Sequence, residues 1–180
     1  CVSLIVSDVV GDDLEIISSG PTAYDSSKPS DAIAVLDNYS LIDKVPKTVK
    51  NYLAKEAEAE KEFSKKYFEK GNIHNIIVVS NDLATESAKE KGEELGLNTL
   101  ILSRMIEGES KEAGIFTGGI VRDIIRSSTP LERPCLIISG GETTVTLSEK
   151  KGEGGPNQEF ALGSATKIKN LKDVAVASVD

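Results

Sequence analysis

The chain alternates between short unbroken apolar runs and longer stretches in which apolar residues recur every three or four positions. Unbroken apolar runs are typical of strands that are buried on both faces. We predict four of these strands, at residues 2–7, 76–80, 97–102 and 135–139. The wider spacing is that of amphipathic helices. We predict helices at 29–38, from 46 into the charged stretch 56–62, from a cap at Asn81 or Asp82 to Gly96, and at 109–125.

The order of these elements predicts the fold class. Strands and helices alternate between residues 76 and 139. This rhythm indicates an α/β protein with a Rossmann-like parallel sheet and helices on both faces, since parallel strands need a crossover connection.

The pattern changes after residue 140. Residues 143–147 are β-branched and partly alternating, as in an antiparallel strand. A charged, glycine-rich turn, a helix and a last strand follow, at 149–155, 156 to about 169, and 173–179. We therefore predict that residues 1–140 are part of the Rossmann-like domain and that 141–180 begin a second, mixed α/β domain.

Charge and composition exclude several function classes. Lys and Arg number 21 against 29 Asp and Glu, a net charge of −8, which argues against non-specific nucleic-acid binding. No apolar run approaches the ~18 residues of a membrane span. Two cysteines, Cys1 and Cys135, cannot build a disulfide framework. We expect a cytoplasmic protein without nucleic-acid or membrane partners.

Polar residues directly after the first strand form one candidate site. Ligands of open parallel sheets bind outside the carboxyl ends of the strands, and Ser7 and Asp8 stand at such an end. Asp8 could coordinate Mg²⁺ or accept a proton from a substrate hydroxyl, or it could be an ordinary turn residue. For Asp12 and Asp13 we favour a structural role as caps of a short helical turn.

Paired glycines after the 135–139 strand form a second candidate. Gly140 and Gly141 allow close backbone approach, and their N–H groups can bind an anion. Thr143 and Thr144 add hydroxyl donors. A tight turn between two strands explains the same residues equally well, so both interpretations stay open.

A third candidate lies where a glycine run enters a helix. Gly154 and Gly155 precede Pro156, and the free N–H groups of the helix start can bind a phosphate or carboxylate. Asn157 and Gln158 add amide donors. The alternative is a flexible hairpin loop followed by an ordinary helix start.

Several common catalytic motifs are missing from the sequence. It contains no Gly-Lys dipeptide, which excludes a Walker A loop, and no Gly-x-Gly-x-x-Gly or Gly-x-Ser-x-Gly. The only histidine, His74, stands at a predicted strand start, where a turn or surface role is expected.

Taken in order, the three candidate segments resemble the glycerate 2-kinase family. The resemblance is carried by SDVVGDD at 7–13 with SGPT at 19–22, by GGETTV at 140–145 and by GGPNQEFAL at 154–162. Residues 81–109 are similar to the middle helix-strand-helix unit of that family. The resemblance implies a large Rossmann-like domain, a smaller MOFRL domain, and transfer of the γ-phosphoryl group of ATP to D-glycerate with Mg²⁺.

The resemblance also implies roles for individual residues. It implies that Asp8 acts in catalysis and metal binding. It implies that residues 140–144 and 154–159 line the phosphate or glycerate side of the site. The residues expected to bind substrate or nucleotide are Ser7, Ser19, Gly20, Gly140, Gly141, Glu142, Thr143, Thr144, Gly154, Gly155, Asn157, Gln158 and Glu159. Many relatives have Arg where this chain has Pro156, so a guanidinium that could clamp phosphate is absent there.

The ends of the chain bear on activity. There is no initiator Met, and the chain opens inside one apolar run and stops at Asp180 just after another, so we expect a piece of a longer protein. The family uses a lysine from an amino-terminal segment and an acidic loop that would begin at Asp180. We therefore expect residues 1–180 alone to show no glycerate-dependent ATP consumption. The protein could also form a homodimer.

Two alternatives to the kinase remain. Some relatives carry the name hydroxypyruvate reductase, an NAD(P)-dependent oxidoreductase, but the dinucleotide fingerprint is missing from this sequence. A non-enzymatic small-molecule sensor on the same scaffold is the other alternative.

Overall fold

The computed structural model describes residues 1–56, 65–148 and 152–179. In chain order its strands and helices are β1 (Val2–Val6), α1 (Pro29–Asn38), α2 (Lys47–Glu56), α3 (Lys65–Lys70), β2 (His74–Val79), α4 (Asn81–Glu94), β3 (Asn98–Glu109), α5 (Ser110–Ser127), β4 (Cys135–Thr144) and α6 (Pro156–Ile168). The expected mixed α/β class is confirmed. Parts of two predicted elements, 57–62 and 149–151, lie outside the described residues, as does Asp180.

The chain divides into two compact units. Unit 1 contains Cys1–Ile5 and Leu14–Ile76, and unit 2 contains Val6–Asp13 and Ile77–Asp180. The domain boundary predicted near Gly141 stays a prediction. Among the described residues, no helix has the length and apolar character needed to cross a membrane.

The strands pair as two two-stranded sheets, β1 with β2 and β3 with β4, where the sequence pattern predicts one sheet. The backbone N–H of His74 donates to the Cys1 carbonyl at 2.9 Å, and that of Ser7 donates to the Val79 carbonyl at 2.9 Å. The two bonds follow the same order along both strands, so β1 and β2 run parallel. β3 and β4 are also parallel, joined by α5, which is the predicted crossover arrangement.

β4 excludes a tight turn at the paired glycines, which is one of the two interpretations left open by the sequence. The strand continues through Gly140 and Gly141 and stays paired with β3 until Thr144 meets Glu109. The predicted antiparallel strand at 143–147 is therefore wrong, because its first residues belong to the parallel β4. Glycine is needed at 141, whose φ is +146° and where a Cβ would overlap the Ile106 backbone.

Two smaller predictions are also wrong. Ser80, not Asn81 or Asp82, caps α4, because its hydroxyl accepts the Leu83 N–H at 3.3 Å. Residues 173–179 form no strand. The short helical turn at Ile17–Ser19 has Ile16 at its cap position, and the capping role of Asp12 and Asp13 stays a prediction.

α5 and α6 pack against each other with glycines at their contact. A Cβ at Gly114 would overlap the Phe160 carbonyl, and one at Gly163 would lie 2.5 Å from the Lys111 carbonyl oxygen. Ser164 is fully buried between them and donates from its hydroxyl to the Gly114 carbonyl at 3.0 Å. Without side chains at the glycines, the two backbones can approach this closely.

Candidate functional site

An open pocket of about 430 Å³ lies within unit 2. It is bordered by the loop after β1, the first turn of α4 and the middle of β3. Its lining residues are Val9, Gly11, Asp12, Asn81, Asp82, Ile101, Leu102, Ser103, Arg104 and Met105. Two parallel strands end at this pocket, which is where ligands of open α/β sheets bind.

The loop after β1 leaves one carboxylate oxygen without a partner. Ser7 is buried, and its hydroxyl accepts the Val9 N–H at 3.3 Å. Gly11 and Asp12 then take the left-handed conformation, with φ of +81° and +54°, and turn the chain back on itself. Asp12 Oδ1 is buried and has no hydrogen-bond partner among the described residues. Burying a carboxylate oxygen without a partner costs free energy. A bound cation or a hydrogen-bond donor would compensate for that cost.

Asn81 connects the pocket to the paired glycines. Its side-chain Nδ2 donates to the Arg104 carbonyl at 2.8 Å. A Cβ at Gly140 would overlap the Asn81 amide, so a glycine in β4 is what leaves room for that side chain. The structure thus brings α4, β3 and β4 together around one amide.

A bulge in β3 sets the position of Arg104. The register with β4 shifts between Ile101 and Ser103 and again between Ser103 and Ile106. Extra residues in one strand redirect the neighbouring side chains, and these irregularities recur next to binding sites. Arg104 lies within this irregular segment and lines the pocket.

The guanidinium of Arg104 is held by three residues of α4. Its Nε donates to the Thr85 hydroxyl at 3.0 Å, and it forms ion pairs with Glu86 and, at 3.6 Å, with Asp82. Thr85 is buried and in turn donates to the carbonyls of Asn81 and Asp82, at 2.8 and 3.0 Å. The guanidinium is therefore oriented by the first turns of α4.

The threonines after the paired glycines bond to their own neighbours. The Ser110 hydroxyl donates to Thr143 Oγ1 at 2.7 Å, and the Thr144 hydroxyl donates to the Gly108 carbonyl at 3.4 Å. Gly141 and Glu142 are exposed. Their binding roles stay predictions.

One carboxyl near this end of β4 has a perturbed acidity. The hydroxyl and backbone N–H of Thr146 donate to the Glu109 carboxylate. These bonds favour the charged form and lower the pKa of the Glu109 carboxyl below its usual value. Glu109 therefore stays ionised at neutral pH.

The first turn of α6 carries the third candidate segment. Gly154 has φ of +129°, and Gly155 is extended at the cap position before Pro156. The Ser178 hydroxyl donates to the Asn157 side-chain oxygen. Gln158 is exposed, and Glu159, which is acidic at the helix start, is half-buried. Whether this turn binds a ligand stays a prediction.

The remaining predicted residues lie apart from the pocket lining. Asp8 is exposed and follows Ser7, but it does not line the pocket. Ser19 and Gly20 belong to unit 1, where both are left-handed and the Gly20 N–H donates to the Ile17 carbonyl at 2.9 Å. Within the parts of the chain that are described, no three His, Cys, Asp or Glu side chains gather into a metal cluster.

Asn81 and Arg104 were not singled out as site residues from the sequence. Asn81 follows the apolar strand β2 with one residue between, so the rule that selects Asp8 after β1 would also have selected Asn81. Arg104 stands two residues beyond the predicted strand at 97–102, but its position depends on the bulge. Sequence spacing carries no signal for that bulge.

Comparison with known proteins gives two family matches. Residues 1–54 match a domain of unknown function, DUF4147, and residues 135–180 match the MOFRL family. Among similar proteins, a glycerate 2-kinase of Pyrococcus horikoshii is 41% identical over 97% of this chain and 39% of its own length. A D-glycerate 2-kinase of Thermotoga maritima is 34% identical over 98% of this chain and 40% of its length. A putative hydroxypyruvate reductase of Agrobacterium vitis is 34% identical over 96% of this chain and 38% of its own length.

Solved structures give the same result. A crystal structure of a glycerate kinase from Thermotoga maritima superposes with a TM-score of 0.73 at 33% identity, over 95% of this chain and 38% of that one. A Pyrococcus horikoshii protein superposes with a TM-score of 0.66 at 40% identity, over 94% and 39%. The chain thus spans about two fifths of the length of the relatives it matches. Over the part that it spans, the resemblance of this chain to the glycerate 2-kinase family is confirmed.

Proposed function

We propose that the protein carrying this chain transfers the γ-phosphoryl group of ATP to D-glycerate, giving 2-phosphoglycerate and ADP. The observation that carries the proposal is the 41% identity with a glycerate 2-kinase over 97% of the chain. Because the chain spans 39% of that relative, the activity is proposed for the whole protein. We also propose that it acts in the cytoplasm, and a homodimer remains to be tested by light scattering.

The pocket has a donor set that suits Mg²⁺. Mg²⁺ is usually bound through one or two carboxylates together with substrate phosphates. Asp12 offers a buried, unpartnered carboxylate oxygen, and Asp82 lines the same pocket. These two residues would hold the ion, while the metal role that the family resemblance implies for Asp8 stays a prediction, because Asp8 does not line the pocket. Bound Mg²⁺ would offset the negative charge of the phosphates.

The chain's own residues supply positioning and proton transfer in this proposal. Asp8, exposed at the strand end, would accept the proton of the attacking glycerate hydroxyl. Asn81 would hold the pocket wall in place through its bond to Arg104. The start of α6 would bind an anionic group of ATP or glycerate at its free N–H groups. Phosphoryl transfer relies on this kind of positioning more than on covalent chemistry.

A coupled assay on the protein expressed from its complete gene tests the function. We expect ADP release from ATP that depends on D-glycerate, with 2-phosphoglycerate as the product identified by mass spectrometry. L-glycerate serves as the matched control substrate. No glycerate-dependent ADP release would refute the proposal.

The reductase alternative is decided in the same experiment. It is kept because the Agrobacterium vitis relative bears the name putative hydroxypyruvate reductase. Oxidation of NADH or NADPH by hydroxypyruvate is measured by absorbance, and we expect none above background. If hydroxypyruvate causes oxidation of NADH or NADPH and D-glycerate causes no ADP release, the reductase function replaces the kinase function.

Replacing Gly155 by alanine tests the predicted role of the α6 start. Gly155 is extended, and the nearest atom to a new Cβ is Gln158 Oε1 at 3.6 Å, so the fold accepts the change within roughly 1 kcal/mol. If the backbone there contacts a ligand, the methyl group obstructs it, and calorimetric titration shows weaker binding of ATP or D-glycerate. Gly152→Ala, in open space in the same loop, is the control. Unchanged affinity for both ligands would leave this segment a turn only.

A further inference from the structure

Among the described residues that line the pocket, Arg104 carries the only positive charge. Two carboxylates, Asp12 and Asp82, line the same pocket. A guanidinium binds phosphate well because its planar donors match the phosphate oxygens. The question is whether Arg104 is free to do so while it is paired with α4.

The ion pairs of Arg104 are weak because their carboxylate partners are exposed to solvent. The side chains of Glu86 and Asp82 are 51% and 68% exposed. Pairs this exposed contribute little to stability, since water and salt screen them. The bond from Nε to the buried Thr85 hydroxyl is the sheltered contact. One edge of the guanidinium is therefore fixed, and its carboxylate partners can be exchanged for another anion.

The carboxylates decide which phosphate can enter. A bare phosphate would be repelled by Asp12 and Asp82. A phosphate that arrives with a divalent cation places positive charge against the unpartnered Asp12 oxygen and leaves phosphate oxygens for Arg104. The charges of the pocket therefore match a metal-complexed phosphate better than a free one.

We propose that Arg104 binds a phosphate group of a nucleotide that enters this pocket as its magnesium complex, and that Glu86 and Asp82 hold the guanidinium until the phosphate displaces them. The inference rests on the proposed function for the identity of the nucleotide. It assigns Arg104 as a binding residue and gives Glu86 a competing role.

Calorimetric titration with ADP tests the proposal on the protein expressed from its complete gene. With MgCl₂ present, Arg104→Gln should weaken ADP binding by about tenfold or more, the usual loss for a charge-assisted hydrogen bond. Glu86→Gln should tighten it by up to about fivefold, because a competing ion pair is removed. Replacing Mg²⁺ by EDTA should weaken binding to the wild type by about tenfold or more.

Two substitutions serve as matched controls. Arg126 pairs with Asp123 at 2.8 Å on α5, and Glu94 pairs with Lys91 at 2.8 Å on α4, and neither lines the pocket. Arg126→Gln and Glu94→Gln should leave the ADP affinity unchanged. If Arg104→Gln lowers the melting temperature, Arg104→Lys is used as the test variant instead. It should still weaken ADP binding, because lysine lacks the planar, two-pronged donor group of a guanidinium.

The outcomes separate this inference from the proposed function. Equal ADP affinity in wild type and Arg104 variants, or weaker binding in Glu86→Gln, overturns the inference. Glycerate-dependent ADP release by a wild type whose ADP binding does not need Arg104 leaves the kinase standing and the inference refuted. If ADP binding depends on Arg104 and on Mg²⁺ but no glycerate turnover is seen, the inference stands and the kinase proposal is refuted.

Discussion

Replacing Gly114 by alanine is expected to lower the free energy of unfolding by about 1–3 kcal/mol, the usual cost of overpacking. A Cβ at this buried position in α5 overlaps the Phe160 carbonyl of α6. The obstacle is backbone, so it cannot rotate away, and the two helices must separate. Separation also weakens the bond from the Ser164 hydroxyl to the Gly114 carbonyl. Urea unfolding followed by circular dichroism measures the change.

Gly119 provides the control within the same helix. It is exposed, and a Cβ there meets no atom within 4 Å. Gly119→Ala should raise the free energy of unfolding by about 1 kcal/mol, because alanine loses less backbone entropy in a helix. A Gly114→Ala protein as stable as the Gly119→Ala protein would contradict the close packing of α5 on α6.

Asp8→Asn is expected to lower kcat about a hundredfold or more in the protein expressed from its complete gene. The substitution keeps the size of the side chain and removes the charge needed to accept a proton or bind a metal ion. Because Asp8 is exposed, the melting temperature should hardly change. Steady-state kinetics with ATP and D-glycerate, together with thermal unfolding, check both halves of the prediction.

A second carboxylate separates proton transfer from metal binding. Asp12→Asn removes the charge of the unpartnered pocket oxygen, so it should raise the Mg²⁺ concentration needed for half-maximal rate. Asp37→Asn, exposed on α1, is the control and should alter neither quantity. An unchanged kcat in Asp8→Asn would assign Asp8 to the turn after β1 instead.

Most elements of this fold follow from short stretches of sequence. The helix predicted at 29–38 has those bounds in the structure, and the helix predicted at 109–125 is observed as Ser110–Ser127. The start of β4 at Cys135 and of α6 at Pro156 are likewise as predicted. These predictions succeed because hydrophobic periodicity and proline at a helix start act through neighbouring residues.

The sequence by itself therefore determined the α/β class, most helices and the family motifs at the strand ends. Only the tertiary structure decided that β4 runs on through its paired glycines and that a bulge in β3 places Arg104 at the pocket. The contact of Asn81 with Arg104 spans 23 residues, and its contact with Gly140 is longer still. Two consecutive glycines locally favour a turn. In the fold, pairing with β3 and the close contact of the Asn81 amide with Gly140 outweigh that preference.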